Sequence, residues 1–184
     1  MGLDAGALDG VQLTPSEFRP IVAAIRARPG CSLLVFGCGR DSPVWEKLNA
    51  GGSTAFIEDD PHWATAAKAG LKGAPVFLVE YGTRRKQWRR LLKRPAELSL
   101  ALPEAVRSRP WDVIVVDGPA GYDDKRPGRM KSIYEASRLV ARSGKIFVHD
   151  AERRVEAAYA ARYLGKQRLF VEVRGAALLR GYQF

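Results

Sequence analysis

The chain has 184 residues, of which 46% are hydrophobic and 27% are charged, without an internal repeat or a low-complexity tract. This is the composition of an ordinary globular domain, and it excludes collagen-like and disordered classes. The formal net charge of +10 suits an acidic or polyanionic partner, although a basic protein without such a partner fits it equally. We interpret Cys31 and Cys38 as small buried side chains and expect no disulfide.

Targeting signals are absent from the start of the sequence. The opening MGLDAGALDG has neither the basic nor the apolar region of a secretory signal, and no apolar run approaches the ~20 residues of a membrane span. We therefore expect a soluble cytoplasmic protein without membrane contact. Residues 1–13 are expected to be flexible, and residues 14–184 to form a single domain.

The predicted elements alternate along the chain. Thr14 to Glu17 (TPSE) has the pattern of a capping box, and apolar residues at helical spacing follow it up to Ile25. Further helices are predicted at 42–50, 61–70, 84–94, 129–142 and 151–164. Strands are predicted at 32–36, 53–58, 75–80, 111–117 and 145–150, and two closing strands flank a turn at Gly175. This order predicts an α/β fold with a mostly parallel seven-stranded sheet, helices on both faces and a C-terminal antiparallel hairpin.

Polar residues stand at the carboxyl ends of these strands, the edge where open α/β sheets bind ligands. They are Gly37, Glu58, Glu80, Asp117, His149 and Asp150. In LLVFGCGRDS, residues 33–42, Gly37 and Gly39 allow a tight turn and a close approach to a ligand, while the next helix offers free N–H groups to an anion. Glu58 could bind both hydroxyls of a ribose, so the pattern predicts a cofactor that contains a nucleoside.

Two cofactors fit this turn. A dinucleotide fingerprint would place a third glycine where Ser42 stands, and NAD would also require a second nucleotide-binding half. S-adenosyl-L-methionine (SAM) needs the glycine turn and the ribose carboxylate without a pyrophosphate site. The closing hairpin therefore favours SAM, although NAD is not excluded.

Several blocks of the sequence, in order, resemble a known family. LLVFGCGRDSPVWEKLNAGGSTAFIEDD, VEYGT, WDVIVVDGPAGY, PGRMKSIYEASRLVAR and IFVHDAERRVE are similar to the plant glucuronoxylan 4-O-methyltransferase family, also called the xylan-biosynthesis or irregular-xylem domain. The resemblance runs from about Ser16 to the C-terminus. It implies a Rossmann-like class I methyltransferase that uses SAM, as plant members do to methylate O4 of glucuronic acid on xylan.

The cofactor site expected from this combination comprises ten residues. Gly37, Gly39 and Asp41 would shape the methionine and ribose pocket, Glu58 would bind the ribose, and Asp59 and Tyr81 would lie near the adenine. The complete set is Phe36, Gly37, Cys38, Gly39, Asp41, Glu58, Asp59, Tyr81, Asp117 and Gly118.

Methyl transfer to a sugar hydroxyl calls for a general base within hydrogen-bond reach. Asp117 is the preferred candidate, assisted by His149 and Asp150. Alternatively, Asp117 only caps a turn, and His149 is a core histidine whose hydrogen bonds are satisfied. Asp117 and Asp150, with His149 beside them, could also hold a divalent metal ion, but no tight ligand motif supports one.

An acidic sugar or another anionic small molecule is the expected acceptor. Arg126 and Arg129 are expected to bind its negative charge, and Tyr122 to line its pocket, although each could instead serve packing or solvation. The basic segment 84–94 contains seven Lys or Arg residues around Trp88. It is either a solvated helix face, a surface for a uronate-bearing chain or, less favoured because no nucleic-acid module accompanies it, a phosphate-binding surface.

Three functions remain open at this point. The preferred one is O-methylation of a uronic-acid-containing sugar or a related acidic small molecule. The second is N- or O-methylation of a natural product, because the cofactor half says little about the acceptor. The third is a non-catalytic role in binding polysaccharide or RNA.

Overall fold

A computed structural model describes residues 13–184, so the predicted flexible segment 1–13 lies outside the described residues except for Leu13. Leu13 is 2% exposed and packs in the core beside Phe18 and Ile21. It therefore belongs to the packed domain and not to a flexible N-terminus.

Seven strands form one sheet in the order β3-β2-β1-β4-β5-β7-β6. The strands are β1 (Ser32–Phe36), β2 (Ser53–Glu58), β3 (Val76–Leu78), β4 (Trp111–Val116), β5 (Val140–Val148), β6 (Leu169–Arg174) and β7 (Leu178–Gln183). Strands β1 to β5 pair in parallel, whereas β7 is antiparallel to both β5 and β6. The predicted sheet with its C-terminal hairpin is confirmed.

The predicted helices occur in the predicted order. The helices of the structure are α1 (Pro15–Arg26), α2 (Ser42–Leu48), α3 (Pro61–Gly70), α4 (Trp88–Leu92), α5 (Glu104–Arg107), α6 (Met130–Leu139) and α7 (Arg154–Tyr159). Of these, α3 has the predicted bounds, α2, α4, α6 and α7 are shorter than predicted, and α5 was not predicted. Short 3₁₀ turns lie at Arg85–Gln87, Pro95–Leu98 and Lys166–Arg168, and a π-helical turn, Ala160–Leu164, extends α7. The single helix predicted at 84–94 is thus a 3₁₀ turn followed by α4.

The largest boundary error lies between α6 and β5. The helix was predicted to reach residue 142, but it ends at Leu139 and β5 begins at once with Val140. Two features make this strand irregular: Ser143 has a positive φ of 63°, and the pairing register with β4 shifts between Trp111 and Val113. A bulged strand end does not alternate regularly between apolar and polar residues, so the sequence pattern concealed it.

The hydrophobic core lies on both faces of the sheet because successive strand residues point to opposite sides. On one face, Leu33, Val35 and Phe56 pack with side chains from α1, α2 and α3. On the other face, Leu34 and Phe36 pack with side chains from α4 to α7. Helices therefore cover both faces of the sheet, which explains why its central strands are almost entirely apolar.

Strand order reverses between β1 and β4. The chain leaves β1 towards β2 and β3 and then returns to β4 on the other side of β1. Such a reversal leaves a crevice at the carboxyl ends of the two strands. The residues that follow β1, β2, β4 and β5 meet around this crevice.

Candidate functional site

A cavity of about 740 Å³ opens at the carboxyl ends of the central strands. The turns after β1, β2 and β4 supply most of its wall, and residues that precede α6 and α7 supply the rest. Its volume lies in the range of 300–1,000 Å³ typical of small-ligand sites. The segments after β1 and β2 contribute Asp41, Glu58, Asp59 and Asp60, together with Arg40, and we call this part of the wall the carboxylate-rich end. The segments before α6 and α7 contribute Arg126, Arg129 and Arg153, together with Asp150, and we call this part the arginine-rich end.

Gly37 and Gly118 bring two turns of the wall into backbone contact. Gly37 has a φ of +103°, and a Cβ atom there would lie 2.8 Å from the Gly118 nitrogen. The N–H groups of Asp117 and Gly118 both donate to the Phe36 carbonyl, at 2.9 and 2.6 Å. The glycine turn therefore serves close packing against the turn after β4, besides leaving room for a ligand.

Glu58 holds the glycine turn in place. Its Oε2 accepts a hydrogen bond from the Cys38 N–H at 2.5 Å, and its Oε1 accepts from the N–H groups of Asp59 and Asp60 at 2.8 and 2.9 Å. The residue is only 5% exposed, yet it lines the cavity. Its carboxylate is thus pre-positioned at the end of β2.

Asp41 precedes α2 and faces the cavity from its carboxylate-rich end. Its Oδ2 accepts a hydrogen bond from the Trp45 indole at 2.9 Å, and Trp45 in turn stacks on Phe18 with 4.5 Å between ring centroids. Burial, reinforced by the charge of Asp117, raises the pKa of Asp41 from 3.8 to about 6. A carboxylate held this way gains from a cationic ligand.

Asp59 and Trp63 form the side of the cavity next to Glu58. Burial and the neighbouring Glu58 carboxylate raise the pKa of Asp59 to about 6. Trp63, on α3, is 40% exposed and lines the same wall. Trp63 therefore belongs to the cavity wall and not to the core.

Asp117, Arg129 and Asp150 form a buried ion-pair cluster below the arginine-rich end. One guanidinium nitrogen of Arg129 lies 3.0 Å from Asp117 Oδ1 and 2.7 Å from Asp150 Oδ2. Arg153 adds a second cation, 2.9 Å from the same oxygen of Asp150. Asp150 adopts a positive φ of 56°, a conformation that non-glycine residues rarely adopt outside turns and functional sites.

His149 lies behind this cluster and is not among the residues that line the cavity. Its Nδ1 is 2.9 Å from Asp117 Oδ1, and its Nε2 is 3.2 Å from Glu17 Oε1. Although burial opposes charging, the hydrogen bond and charge of Asp117 outweigh it and raise the pKa of His149. The hydrogen bond from His149 and the charge of Arg129 lower the pKa of Asp117 despite its burial.

The ligand atoms of Asp117, His149 and Asp150 lie within 4.8 Å of one another, a separation that suits a metal ion. The cation found between the two carboxylates is, however, the Arg129 guanidinium. A divalent ion at that point would have to displace this side chain. The predicted metal site stays a prediction, and a loss of activity on chelation would support it.

The arginine-rich end contains Tyr122, Arg126 and Arg153. Tyr122 is 63% exposed, and the Arg126 guanidinium lies 5.2 Å from the centre of its ring. Among the described residues, Arg126 forms one ion pair, a 4.0 Å contact with Asp123. Its positive charge is therefore largely available to a ligand, whereas Arg129 is 5% exposed and already bound to two carboxylates.

The basic segment 84–94 borders this end of the cavity. The backbone N–H groups of Arg85 and Lys86 donate to the carbonyls of Arg126 and Asp124. Trp88 lies between two guanidinium groups, with Arg89 at 4.9 Å and Arg154 at 5.5 Å from its ring. The segment thus extends the positive surface outward from the cavity mouth.

The structure brings most of the predicted site residues to one cavity. Those that line it are Gly37, Cys38, Gly39, Asp41, Glu58, Asp59, Asp117, Gly118, Tyr122, Arg126, Arg129 and Asp150. Phe36 is fully buried and touches this region only through its backbone carbonyl. Tyr81 is buried, with its hydroxyl 2.9 Å from Ser132 Oγ, so we assign it to the core and not to an adenine pocket.

The sequence reasoning missed three residues of this region. Glu17 was interpreted as a helix cap only, and neither Trp63 nor Arg153 was among the predicted site residues. Arg153 stands three residues after Asp150, a spacing at which side chains meet on a helical turn. This spacing could have indicated Arg153 from the sequence. No sequence pattern could have indicated the contact between Glu17 and His149, because the two residues are 132 positions apart.

The comparisons with known proteins agree with this architecture. The profile of the IRX15/IRX15L/GXM family matches residues 16–101 and 95–180. Arabinogalactan O-methyltransferase 2 of Arabidopsis thaliana is 37% identical over 170 residues, which cover 76% of this chain and 57% of that protein. Glucuronoxylan 4-O-methyltransferase 2 of the same plant is 36% identical over 156 residues, which cover 73% of this chain and 53% of that protein.

The fold is also that of solved methyltransferases. A TehB-like SAM-dependent methyltransferase from Corynebacterium glutamicum superposes with a TM-score of 0.58 at 15% identity, covering 97% of this chain and 92% of that one. The predicted Rossmann-like class I methyltransferase fold is confirmed. The chain spans little more than half the length of the two plant relatives. Within residues 13–184, no helix combines the length and apolar character that crossing a membrane requires.

Proposed function

Since the chain belongs to the IRX15/IRX15L/GXM family, we propose that it is a SAM-dependent O-methyltransferase acting on a hydroxyl of a uronic-acid-containing sugar. The observation that carries the proposal is the distribution of acidic and basic side chains along the cavity wall. Its glycine and carboxylate end suits a cationic nucleoside cofactor, and its arginine end suits an anionic acceptor.

The residues at the first end fit SAM. Gly37 leaves a backbone wall without a side chain. Glu58 lines the cavity, and its Oε2, which accepts one hydrogen bond from the Cys38 N–H, can accept a second from a ribose hydroxyl. Asp41 supplies a negative charge for the ammonium group of the methionine portion. Trp63 and Asp59 offer a flat apolar face and a hydrogen-bond acceptor for the adenine. We propose Trp63 in place of Tyr81 for this contact.

Arg126 and Arg153 are proposed to bind the carboxylate of the acceptor, in place of the buried Arg129. Both line the cavity, and a guanidinium matches a carboxylate with two parallel hydrogen bonds. Tyr122 would pack against the sugar ring. The plant relatives carry names that specify arabinogalactan or glucuronoxylan as acceptors, which supports a sugar hydroxyl as the methylated group.

Asp117 would orient the acceptor hydroxyl. Both hydrogen bonds from His149 and Arg129 end on its Oδ1, so Oδ2 remains to accept the hydroxyl proton. When bound, SAM would supply an electrophilic methyl group, which the acceptor oxygen attacks as the methyl–sulfur bond breaks. The hydroxyl becomes strongly acidic as its oxygen gains the methyl group, so a carboxylate with a lowered pKa is sufficient to take the proton. Alignment would then supply much of the rate enhancement, up to ~7–11 kcal/mol.

Two alternatives remain as outcomes of an experiment. Purified protein is incubated with methyl-labelled SAM and one of three acceptors: a glucuronate-bearing xylan oligosaccharide, its carboxyl-reduced form, or a neutral xylan oligosaccharide. Label in the first acceptor alone supports the proposal. Label only in small phenols or amines would favour a natural-product methyltransferase.

Binding of an acidic polysaccharide or RNA without methyl transfer would favour the non-catalytic role. A steep loss of RNA affinity with salt would identify nucleic acid as the partner. The cytoplasmic location stays a prediction.

A further inference from the structure

Glu17 connects the N-terminus of α1 to the centre of the proposed active site. Its Oε2 accepts hydrogen bonds from the N–H and hydroxyl groups of Thr14, both at 2.7 Å, which caps the helix. Its Oε1 faces inward, 3.2 Å from His149 Nε2 and 3.2 Å from the Ala177 N–H. The side chain is completely buried, although a helix cap ordinarily lies at the surface.

The imidazole of His149 lies between two carboxylates. Asp117 Oδ1 is 2.9 Å from Nδ1, and Glu17 Oε1 is 3.2 Å from Nε2. An ionised carboxylate only accepts hydrogen bonds, so both ring nitrogens must donate and the ring carries a positive charge. The hydrogen-bond chain Glu17–His149–Asp117 thus ends at the Asp117 carboxylate, which lines the cavity.

The charges of the six ion-paired residues around His149 balance. Glu17, Asp117 and Asp150 supply three negative charges, and His149, Arg129 and Arg153 supply three positive charges. Asp41 also acts on His149, and the fully buried Glu156, whose pKa is raised by burial, acts on Arg129 and Arg153. Removing one member leaves an uncompensated buried charge, which is costly. The orientation of Asp117 therefore depends on the whole set.

We propose that Glu17 is a positioning residue for methyl transfer, acting through His149 to hold Asp117 with Oδ2 turned towards the cavity. This role rests on the proposed function, but the hydrogen-bond chain on which it depends can be tested without any acceptor. Glu17 does not line the cavity and touches neither cofactor nor substrate. Its effect would be transmitted through the charge and orientation of the imidazole ring.

The variant Glu17→Gln tests this hydrogen-bond chain directly. All four groups around the carboxylate are donors to it: the Thr14 N–H, the Thr14 hydroxyl, the His149 ring and the Ala177 N–H. A glutamine has one acceptor oxygen, so its NH₂ group must face one side. If the oxygen keeps the helix cap, the NH₂ group faces Nε2 and forces the imidazole into its neutral form with the proton on Nδ1.

Nitrogen NMR of the imidazole ring measures this change. The chain has only two histidines, and the exposed one is removed with His62→Gln so that His149 gives the single signal. We expect both ring nitrogens to be protonated at pH 7 in this parent, and Nε2 to lose its proton when Glu17→Gln is added. Thr14→Ala is the matched control, because it weakens the cap at Oε2 and leaves Oε1 on His149.

Enzyme kinetics test the positioning role. Glu17→Gln should lower kcat by roughly 10–100-fold while SAM affinity stays close to that of the parent. The KM for the acceptor should change less than kcat, because Glu17 does not line the cavity. Thr14→Ala should lower the melting temperature while kcat stays close to that of the parent.

A neutral imidazole in the parent at pH 7 would overturn the proposal. So would a Glu17→Gln variant whose ring stays doubly protonated and whose kcat matches that of Thr14→Ala. If the imidazole states are as expected but no acceptor is methylated, the proposed function fails and the positioning role fails with it, while the hydrogen-bond chain stands.

Discussion

Gly37 and Gly118 touch through their backbones: a Cβ atom on Gly118 would lie 2.6 Å from the Gly37 Cα. The turn after β1 and the turn after β4 therefore pack backbone against backbone, without space for a Cβ atom between them. Neither turn can carry a side chain at this point without widening the crevice. The shape of the proposed cofactor pocket depends on this contact.

Gly118→Ala should destabilise the protein and weaken SAM binding together. Forcing a methyl group into the contact costs about 1–3 kcal/mol, the usual range for overpacking. Gly73→Ala is the control, because nothing lies within 4 Å of the added methyl group there. Thermal unfolding and calorimetric titration with SAM measure both effects. A Gly118→Ala variant that binds SAM normally would show that the contact does not shape the site.

Glu58→Ala should abolish the thermal stabilisation that SAM produces. In the parent, a ligand at 100 times its Kd adds about 2.7 kcal/mol to the free energy of unfolding. Glu46→Ala is a matched control, because Glu46 also accepts backbone hydrogen bonds, from Lys72 and Ala74, but lies outside the cavity. Both variants should lower the melting temperature, and only Glu46→Ala should keep the response to SAM. An undiminished response in Glu58→Ala would remove the ribose assignment.

Asp117→Asn should lower kcat by ~10²–10⁴ with near-normal SAM binding. The asparagine oxygen can still accept from Arg129 and His149, whereas its NH₂ group replaces the oxygen that takes the proton. Asp112→Asn is the control at the opposite end of β4, where Asp112 accepts hydrogen bonds from the N–H and hydroxyl groups of Ser32. Single-turnover methyl transfer distinguishes the two variants. Turnover that survives in Asp117→Asn would place the base elsewhere.

SAM affinity should fall as the pH drops below about 6, because the pKa of Asp41 is raised to about 6 and the protonated carboxyl loses its attraction for a cation. The raised pKa of Asp41 also makes the stability of the folded protein depend on pH. With a folded-state pKa above the ordinary 3.8, Asp41 favours the folded state at low pH, and this contribution is lost as the pH rises through 6. At pH 7 the ionised Asp41 carboxylate therefore destabilises the folded, ligand-free protein.

Asp41→Asn should accordingly stabilise the ligand-free protein at pH 7–8, by on the order of 1 kcal/mol, and should lose most of its affinity for SAM. At pH 4 the two proteins should unfold at nearly the same temperature. Thermal scans at both pH values, with and without SAM, check the pair of effects. Equal stability at pH 7 would mean that the carboxylate is better solvated than its surroundings indicate.

Arg126→Ala and Arg153→Ala should each raise KM for a carboxylated acceptor by about tenfold, since a hydrogen bond to a charged group contributes ≈ 1.5–3 kcal/mol. The carboxyl-reduced acceptor should show no such change in KM. Arg153→Ala should also lower kcat with every acceptor, because it removes an ion pair of Asp150. Arg107→Ala removes an exposed arginine that pairs with Glu104 on α5, outside the cavity, and serves as the control. If KM rises alike for both acceptors, the arginines do not recognise the carboxylate.

Much of the fold follows from local patterns that sequence reasoning can recognise. The continuous apolar run WDVIVV predicted a buried strand, and Trp111–Val116 is β4. The positions of Gly37, Glu58 and Asp117 at strand ends predicted that they meet, because the carboxyl ends of parallel strands share one edge. Where the backbone is irregular, as at the start of β5, the same patterns misplaced the boundary.

The sequence by itself determined the order of strands and helices along the chain, the two-sided packing and the glycine and carboxylate turns, because each depends on residues that are close in the chain or on a fixed period. Only the tertiary structure decided that Arg129 is buried between two carboxylates and that Trp63 faces the cavity while Tyr81 does not. It also joined Glu17 to His149 across 132 positions. Burial and charge pairing arise when distant segments pack together, and no local pattern records which partner a charged side chain will meet.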